Sequence, residues 1–290
     1  MYSKTQTMTS TDNFSTRVEA LKKAIAEADN IIIGAGSGLS TAAGLDYAGE
    51  DFRREFAPWI ERYGFTDLYT SSFYPFETKE EYWAYWAKHI WFCRYRSGAM
   101  PLYRLLRQLF PDAFVVTTNV DAQFELAGFP MDNIFATQGD YSLFQPATGS
   151  PKLTVSNHGW VMQVLPLIKE CRIPTELIPT MPDGSEAAMN LRVDDTFVED
   201  FRWQRQARRY TDFVQQASQD NLLLLEFGIG YNTPGIIRFH FEQMAQKFPH
   251  TSLVRFNRDD PSPFIENLPR FTVFTEDISE VLGQLYPLHR

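Results

Sequence analysis

Two polar side chains that could take part in chemistry follow an apolar run in VVTTNVDAQFELAG (115–128). They are Asn119 and Asp121, and Gln138 comes seventeen residues after Asp121, in FATQGDY. After a buried strand, Asn and Asp most often cap the next helix. An amide can also hold a substrate hydroxyl, and a carboxylate can accept a proton. Both interpretations are open for this stretch by itself.

A glycine-rich turn is the second stretch that could do chemistry. In NIIIGAGSGLSTAAG, three isoleucines typical of a strand buried on both faces precede Gly34, Ala35 and Gly36. Glycines at such a turn let backbone N–H groups approach a phosphate, and the amino end of the next helix favours negative charge. The strict G-x-G-x-x-G spacing is absent because Leu39 occupies the third glycine position, next to Ser40. A tight turn without a ligand is the alternative.

Apolar runs that predict buried strands recur along the chain and alternate with helical patterns. Beyond NIII they are AFVVTTN (113–119), NLLLLEFGIG (221–230), TSLVRFN (251–257) and the weaker RFTVFTED (270–277). Thr16 and Glu19 match a capping box, so we expect the first helix to start near residue 16. The alternation predicts an α/β fold with a parallel sheet and helices on both faces.

Two stretches interrupt this alternation. Residues 50–110 are aromatic and helical, and helix packing explains their aromatic side chains better than a ligand wall does. Residues 140–200 are irregular, with proline, glycine and short apolar runs. We therefore expect a large domain made of residues 1–139 and 201–290, with a helical module at 50–110, and a small insert domain at 140–200.

The predicted main strands end in glycine or in polar residues. The carboxyl ends of parallel strands share one edge of a sheet, and ligands bind in the crevice outside that edge. Several such ends together predict a nucleotide site more strongly than any single motif does. Besides the residues named above, the ends contribute Thr118, Gly228, Ile229, Gly230, Asn257 and Arg258.

Composition argues against several classes of function. The net charge is −9 and FRWQRQARRY is interpreted as the exposed side of a helix, so nucleic acid is not an expected partner. Cys93 and Cys171 allow neither a disulfide framework nor a paired-cysteine metal site. The polar N-terminus lacks the apolar core of a signal peptide, and no apolar run approaches the roughly 18 residues of a membrane span. We expect a cytoplasmic protein without a membrane partner.

At these residues the chain resembles the sirtuins, NAD-consuming enzymes with a Rossmann-like large domain and a small, usually zinc-binding, domain. The family's G-A-G-x-S…A-G-I-P-D-F-R is similar to the stretch from Gly34 to Arg53, and its T-Q-N-x-D is similar to TTNVD. Its G-T-S strand end and later Asn are similar to Gly228-Ile229-Gly230 and Asn257. The resemblance covers roughly residues 15–285 and implies NAD as a co-substrate.

Several positions depart from the family pattern. The family has a His where this chain has Gln138, and a neutral amide cannot act as a general base near neutral pH. The zinc-ligand cysteine pairs are replaced by IPTMPDGSEAAMN, and Cys171 even with His158 makes no four-ligand site, so we expect no zinc. The family's V-W-F-G-E loop, which takes acyl-lysine, is replaced by RVDDTFVED (192–200).

These departures resemble the macrodomain-linked sirtuins, which are similar to mono-ADP-ribosyltransferases. That resemblance implies transfer of ADP-ribose from NAD to a protein in a microbial redox-defence setting. It further implies a lipoyl-bearing, glycine-cleavage-H-like carrier as the target, and a macrodomain protein that removes the modification. A sirtuin-type deacylase and a non-catalytic NAD or ADP-ribose-binding module are the alternatives.

The resemblance also implies roles for individual residues. Asn119 would hold the nicotinamide ribose or the attacking group, Asp121 would secure the nicotinamide pocket, and Gln138 would orient the ribose; these are the predicted catalytic residues. Asp46 and Asp51 both remain candidates for the family's Asp. The predicted NAD-binding residues are Gly34, Ala35, Gly36, Leu39, Ser40, Asp46, Arg53, Thr118, Gly228, Ile229, Gly230, Asn257, Arg258, Asp277 and Ile278.

Overall fold

A computed structural model describes residues 7–231 and 233–285. The strands are β1 (Asn30–Ala35), β2 (Phe114–Thr117), β3 (Ile134–Ala136), β4 (Gly139–Pro146), β5 (Val155–Ser156), β6 (Ala187–Leu191), β7 (Leu222–Phe227), β8 (Thr251–Phe256) and β9 (Phe271–Phe274). The α-helices are α1 (Phe14–Glu27), α2 (Ser37–Ala42), α3 (Glu50–Glu55), α4 (Ala57–Tyr63), α5 (Leu68–Ser71), α6 (Lys79–Ile90), α7 (Pro101–Leu109), α8 (Gln123–Leu126), α9 (His158–Val164), α10 (Phe201–Ala217), α11 (Arg238–Lys247) and α12 (Ile278–Gly283). None of these helices combines the length and the apolar character needed to cross a membrane.

The main sheet has six parallel strands in the order β3-β2-β1-β7-β8-β9, which confirms the predicted parallel sheet. From β1 the chain proceeds outward to β2 and β3, and it later returns to β7 on the other side of β1. The strand order therefore reverses between β1 and β7, and ligands bind outside such a reversal in open α/β sheets. Strand β3 was not predicted, because three residues are too short a run to recognise.

Helices cover both faces of this sheet, as predicted. Along β1, Ile33 and Ala35 are buried in a layer with α1, α7, α8 and α12, whereas Ile32 is buried in the opposite layer with α10 and α11. A strand covered on both faces has no side that favours polar residues. This explains the apolar run NIII.

A third hydrophobic cluster joins helices α3 to α6 to a small antiparallel sheet in which β4 pairs with β5 and β6. Phe144 of β4 packs edge-on against Trp83 of α6, with ring centroids 5.3 Å apart, and against Trp160 of α9 at 5.2 Å. These aromatic residues form a core, in agreement with the packing interpretation.

The first helix begins earlier than predicted. Helix α1 begins at Phe14, and the side chain of Asn13 caps it by accepting hydrogen bonds from the backbone N–H groups of Ser15 (2.9 Å) and Thr16 (3.4 Å). The prediction that Thr16 caps this helix was wrong, because Asn is at least as good an N-cap as Thr and stands earlier in the chain.

The turn after β7 requires a glycine at position 228. Gly228 has a φ of +59°, and a Cβ atom there would lie 2.5 Å from backbone atoms of Gly38 and Leu39. We expect Gly228→Ala to lower the free energy of unfolding by about 2 kcal/mol or more, because left-handed strain adds to backbone overlap. Gly98→Ala, where a Cβ would meet no atom within 4 Å, should change it by less than about 0.5 kcal/mol. Equal losses for the two variants in urea unfolding would contradict this account.

Candidate active site

The turns after β1 and β7 are in direct backbone contact at the reversal of strand order. The Gly36 N–H donates to the carbonyl oxygen of Phe227 (3.0 Å), and the Gly38 N–H donates to that of Gly228 (3.0 Å). A Cβ atom on Gly36 would lie 2.7 Å from the Gly228 carbonyl oxygen, so a larger residue would displace backbone. The predicted phosphate-binding turn and the predicted glycine end of β7 therefore lie side by side.

The end of β2 is tied to the end of β1. Gly34 and Ala35 lie in β1 itself. The Ala35 carbonyl oxygen accepts hydrogen bonds from the backbone N–H of Thr118 (3.0 Å) and from its Oγ1 (3.4 Å). Asn119, the next residue, is therefore placed at the crevice between the strand ends.

Asn119 is held by three groups through its side-chain amide nitrogen. Nδ2 donates to the carbonyl oxygen of Gly36 (2.9 Å) and to the hydroxyl oxygens of Ser40 (3.1 Å) and Tyr103 (3.1 Å). Within the described residues, the other side-chain atom, Oδ1, has no hydrogen-bond partner. This orientation leaves Oδ1 available as an acceptor for a ligand hydroxyl.

Asp121 is buried, and both of its carboxyl oxygens accept hydrogen bonds. Ser40 Oγ donates to Oδ2 (2.6 Å), and the Gln123 N–H donates to Oδ1 (3.1 Å). Burial raises the pKa of the Asp121 carboxyl, and the Ser40 hydrogen bond partly opposes that rise. Asp121 is not the N-cap of α8, because Ala122 occupies that position with a φ of 56°. The simple helix-cap interpretation was therefore wrong in position, although Asp121 does bind an N–H of the first turn.

Tyr103 is a polar group of this site that the sequence analysis missed. It is fully buried on α7, and its hydroxyl oxygen lies 2.7 Å from Ser40 Oγ and 3.1 Å from Asn119 Nδ2. Burial raises the pKa of Tyr103 well above its usual value, so the phenol remains a neutral hydroxyl that both donates and accepts. The sequence carried no local signal, because a Tyr on the apolar side of a helix is usually an ordinary core residue.

Gln138 lies in the short link between β3 and β4. Backbone bonds join this link to the Asn-x-Asp turn: the Thr137 N–H donates to Thr117 O (2.9 Å), and the Tyr141 N–H donates to Val120 O (2.9 Å). Gln138 is half-buried, and its side-chain amide makes no hydrogen bond within the described part of the chain. The structure thus places an unengaged neutral amide beside the turn that carries Asn119.

The segment 192–200 runs beside Gln138. The Arg192 N–H donates to the Gln138 carbonyl oxygen (3.0 Å), and the Arg192 guanidinium pairs with Glu199 (2.6 Å). Val193 is 72% exposed. The replaced family loop therefore lies next to the replaced family His.

The residues predicted after β7 and β8 meet on the other side of the crevice. Asn257 Nδ2 donates to the Ile229 carbonyl oxygen (2.9 Å), and Asn257 Oδ1 accepts from the Asp260 N–H (2.9 Å). Gly230 is exposed, and the Arg258 side chain is 84% exposed. Asn257 thus connects the two loops, whereas Arg258 points into solvent.

Three predicted NAD-binding residues have structural contacts of their own. Asp277 caps α12 by accepting a hydrogen bond from the Ser279 N–H (2.8 Å). Ile278 and Leu39 are buried in one core layer. Within the described residues, their side chains make no hydrogen bond to the other predicted site residues.

Asp46 and Arg53 lie on the segment after α2. Asp46 makes its hydrogen bond within its own loop, and Arg53 is exposed. Asp51 pairs with Arg54 (2.5 Å) and Arg96 (2.8 Å), and the Arg54 hydrogen bond, followed by the charge of Arg96, lowers the pKa of Asp51. In the described chain neither Asp46 nor Asp51 is hydrogen-bonded to the strand-end residues, so these contacts do not distinguish the two candidates for the family's Asp.

A cleft opens on the β3 side of the Asn-x-Asp turn. It encloses about 360 Å³ of empty space, part of it continuous with solvent. Polar and charged groups of its lining include Asn119, Asp121, Gln123, Asp140, Arg202 and Gln206. Asn119 and Asp121 therefore also line a cleft that residues of α8 and α10 border.

The residues 7–231 and 233–285 contain no cluster of three or more His, Cys, Asp or Glu side chains able to hold a metal ion. Cys93 and Cys171 are both buried and free. Burial raises the pKa of the Cys171 thiol to about 11, so it is a poor source of the thiolate that zinc prefers.

Comparison with known proteins gives matches over most of this chain. No protein-family model matches the chain. A protein ADP-ribosyltransferase of Staphylococcus aureus (strain Mu50 / ATCC 700699) is 31% identical over 278 residues, which cover 93% of this chain and 87% of that protein. A Probable bifunctional ADP-ribose hydrolase/ADP-ribosyltransferase of Fusarium oxysporum f. sp. cubense is 28% identical over 236 residues, which are 77% of this chain but 39% of that protein.

Solved structures show a shared fold. A complex of Sir2 with a p53 peptide and NAD+ has a TM-score of 0.54 and 13% identity, and the match covers 92% of this chain and 96% of that chain. Sir2 bound to an acetylated peptide has a TM-score of 0.52 and 14% identity, with the same coverage. At such identities the likeness establishes the fold alone, and the chemistry has to be argued from the residues of the site.

A parallel sheet with glycine turns in contact at its reversal of strand order defines a Rossmann-like, nucleotide-binding class of protein. Within that class, the chain belongs to the family of sirtuin-like protein ADP-ribosyltransferases, which are NAD-consuming enzymes.

Removing the Tyr103 hydroxyl should loosen Asn119 without disturbing the fold. Tyr103→Phe deletes one acceptor of Asn119 Nδ2 and one partner of Ser40. Loss of a hydrogen bond worth about 1 kcal/mol should lower the rate of nicotinamide release at saturating NAD by roughly fivefold to tenfold.

The matched control is Tyr85→Phe. The Tyr85 hydroxyl is equally buried, but it donates to Leu68 O (3.1 Å) and contacts His89 Nδ1 (2.9 Å). This variant should keep the turnover of the unaltered protein. If both variants lose turnover equally, the Tyr103 contact has no specific role.

Proposed function

We propose that this chain cleaves nicotinamide from NAD and transfers the ADP-ribose group to a protein. The observation that carries the proposal is the fixed orientation of Asn119. Its amide nitrogen is bound by Gly36, Ser40 and Tyr103, and its Oδ1 is left for a ligand at the glycine-lined crevice. The relative of Staphylococcus aureus, which is named a protein ADP-ribosyltransferase, supports the same activity.

NAD would lie along the carboxyl edge of the sheet. The turn Gly34–Gly36, with Leu39 and Ser40, would hold the pyrophosphate, and Thr118 would border it. Gly228–Gly230, Asn257, Arg258, Asp277 and Ile278 would flank the adenosine half, and Asp46 and Arg53 would close over the cofactor. The complex of Sir2 that contains NAD+ and shares this fold supports NAD as the co-substrate.

The reaction breaks the bond between the nicotinamide nitrogen and the anomeric carbon, and the electron pair leaves with nicotinamide. The acceptor's nucleophile forms the new bond to the same carbon. Asn119 and Gln138 would position the ribose, and Asp121 would secure the pocket with Ser40. Positioning alone can lower a barrier by several kcal/mol, on the order of 7–11 for well-oriented groups.

Deacylation is less well supported because a general base is missing from the expected place. Gln138 is a neutral amide and cannot take a proton. His89 is no substitute: it is buried between the hydroxyls of Tyr85 (2.9 Å) and Tyr141 (3.1 Å), and burial lowers its pKa to about 3. A non-catalytic binding module is also less well supported, because a binder has little need to fix Asn119 so tightly.

We infer that the acceptor is a lipoyl-bearing, glycine-cleavage-H-like carrier protein and that a macrodomain protein reverses the modification. The first part rests on the resemblance to macrodomain-linked sirtuins. The relative of Fusarium oxysporum, which is named for ADP-ribose hydrolase and ADP-ribosyltransferase activities together, supports a link to removal. A cytoplasmic, microbial redox-defence setting is part of the same proposal.

The direct test is incubation with labelled NAD and the lipoylated carrier protein. We expect label on the carrier, release of free nicotinamide and no loss of acyl groups from acyl-lysine peptides. The unlipoylated carrier distinguishes the inferred acceptor from transfer to any protein. Loss of acyl-lysine without protein labelling would establish the deacylase, and NAD binding without any turnover would establish the binding module.

Asn119→Ala should abolish turnover while NAD binding is largely kept, because the side chain is placed at the reacting ribose. We expect kcat to fall by about a hundredfold or more, a loss typical of misplaced reacting groups. Gly36→Glu should instead lose NAD binding, because a carboxylate would enter the phosphate turn. Asn221→Ala, at the amino end of β7, is the control and should keep both the kcat and the NAD binding of the unaltered protein. Normal kcat in Asn119→Ala with weakened NAD binding would refute the assigned role.

Gln138→His separates the transferase from the deacylase. A bulkier, partly charged ring should misplace the ribose, and we expect Gln138→His and Gln138→Ala both to lose transfer by on the order of a hundredfold. Gln138→His should gain no peptide deacylation, because segment 192–200 differs from the family's acyl-lysine loop. Both variants are assayed on the carrier and on acyl-lysine peptides. Robust deacylation by Gln138→His with transfer intact would favour the deacylase.

A further inference from the structure

Four charged side chains are completely buried where β7, β8 and α11 pack together. They are Glu226 on β7, Arg255 on β8, and Arg238 and Glu242 on α11, and we call them the charge cluster. None of them was predicted as a site residue, and none is used by the reaction as proposed above. Their charges balance, with two guanidinium groups and two carboxylates.

The pairing inside the charge cluster is close. Arg255 binds both oxygens of Glu226 (2.7 and 3.0 Å) and Oε1 of Glu242 (2.7 Å). Arg238 Nε lies 4.0 Å from the same Glu242 oxygen. Desolvating ions is costly, and well-packed apolar residues are often as stable in such places, so stability by itself is a weak explanation for the charge cluster.

The remaining hydrogen bonds of the charge cluster all go to two loops. Arg238 donates to the carbonyl oxygens of Ile229 (3.1 Å), Asp260 (3.0 Å) and Ser262 (2.7 Å). Arg255 donates to the same Ser262 oxygen (2.9 Å). The charge cluster therefore clamps the loop after β7 onto the loop after β8.

Glu242 completes the clamp from the acceptor side. Its Oε2 accepts hydrogen bonds from the backbone N–H groups of Phe264 (2.8 Å) and Ile265 (2.9 Å). Asn257 reaches the same junction from the crevice, because its Nδ2 donates to the Ile229 oxygen that also binds Arg238. One carbonyl oxygen thus links the buried charges to a predicted NAD-binding residue.

We propose that Arg238 is a positioning residue for the adenosine half of NAD and acts through the loops 228–231 and 257–265. This inference rests on the proposed function, because those loops flank NAD only if NAD binds along the strand ends. Strand β1 separates β7 and β8, which carry two members of the charge cluster, from β2, which Asn119 follows. The charge cluster therefore governs how tightly NAD binds and leaves the rate of the bound complex unchanged.

Arg238→Lys is the test variant. Lysine keeps the positive charge, but a single ammonium group cannot reproduce the guanidinium geometry that reaches three carbonyl oxygens. We expect the KM for NAD and the Kd for ADP-ribose, measured by calorimetry, each to rise about tenfold. The value of kcat at saturating NAD should stay within about twofold.

Arg270→Lys is the matched control. Arg270 also donates to two backbone carbonyls, of Thr251 (2.7 Å) and Phe248 (3.2 Å), but it lies at the amino end of β8 and β9, the edge opposite to the crevice. Because Arg270 is only half-buried, this variant should lower the melting temperature less than Arg238→Lys does, and it should leave KM, Kd and kcat unchanged.

The outcomes separate the inference from the proposed function. Unchanged KM and Kd in Arg238→Lys, or an equal rise in Arg270→Lys, overturns the positioning role. If the unaltered protein binds ADP-ribose tightly but transfers nothing, the proposed function is refuted, and the Kd of Arg238→Lys for ADP-ribose still tests the positioning role. If the unaltered protein binds neither NAD nor ADP-ribose, both are refuted. If Arg238→Lys does not fold, Glu242→Gln, which keeps its volume and a carbonyl acceptor, should raise Kd about threefold, and an unchanged Kd there overturns the inference.

Discussion

The site depends on the close backbone approach of the turns after β1 and β7. This approach is possible because Gly36, Gly38 and Gly228 have no side chains, and a Cβ on any of them would lie within 2.7 Å of the facing backbone. The contact lies where the strand order reverses, so it borders the crevice in which ligands of such sheets bind. Asn119 is held against the same turn, because its amide nitrogen donates a hydrogen bond to the Gly36 carbonyl oxygen.

The end of the crevice at Asn119 is built for orientation. Asn119, Ser40 and Tyr103 are neutral groups that hold one another, and the buried carboxyl of Asp121 has a raised pKa and both oxygens engaged. Such a site can hold a ribose in a fixed pose but offers no free base. This is the physical reason why transfer fits the chain better than a reaction that needs a base to take a proton from the ribose.

The two ends of the crevice are fixed by different interactions. Glycine contacts and a hydrogen-bonded amide fix the end at Asn119, where, in the proposed reaction, a small error in position would lower the rate. Buried ion pairs and their bonds to carbonyl oxygens fix the loops after β7 and β8. If NAD binds as proposed, mutations at the two ends should therefore alter its binding and its reaction separately.

Local patterns in the sequence determined the parts that carry the site. Strands β1, β2, β7, β8 and β9 coincide with predicted apolar runs, because a parallel strand buried on both faces is apolar at almost every position. The glycine turn and the Asn-x-Asp stretch were recognisable because each consists of a few consecutive residues that directly follow such a strand. The tertiary structure alone decided that β3 joins the sheet, that Tyr103 binds Ser40 from 63 residues away, and that Arg238 clamps two loops. Hydrogen bonds between distant side chains depend on how the elements are arranged against one another, and that arrangement leaves no local motif at the residues concerned.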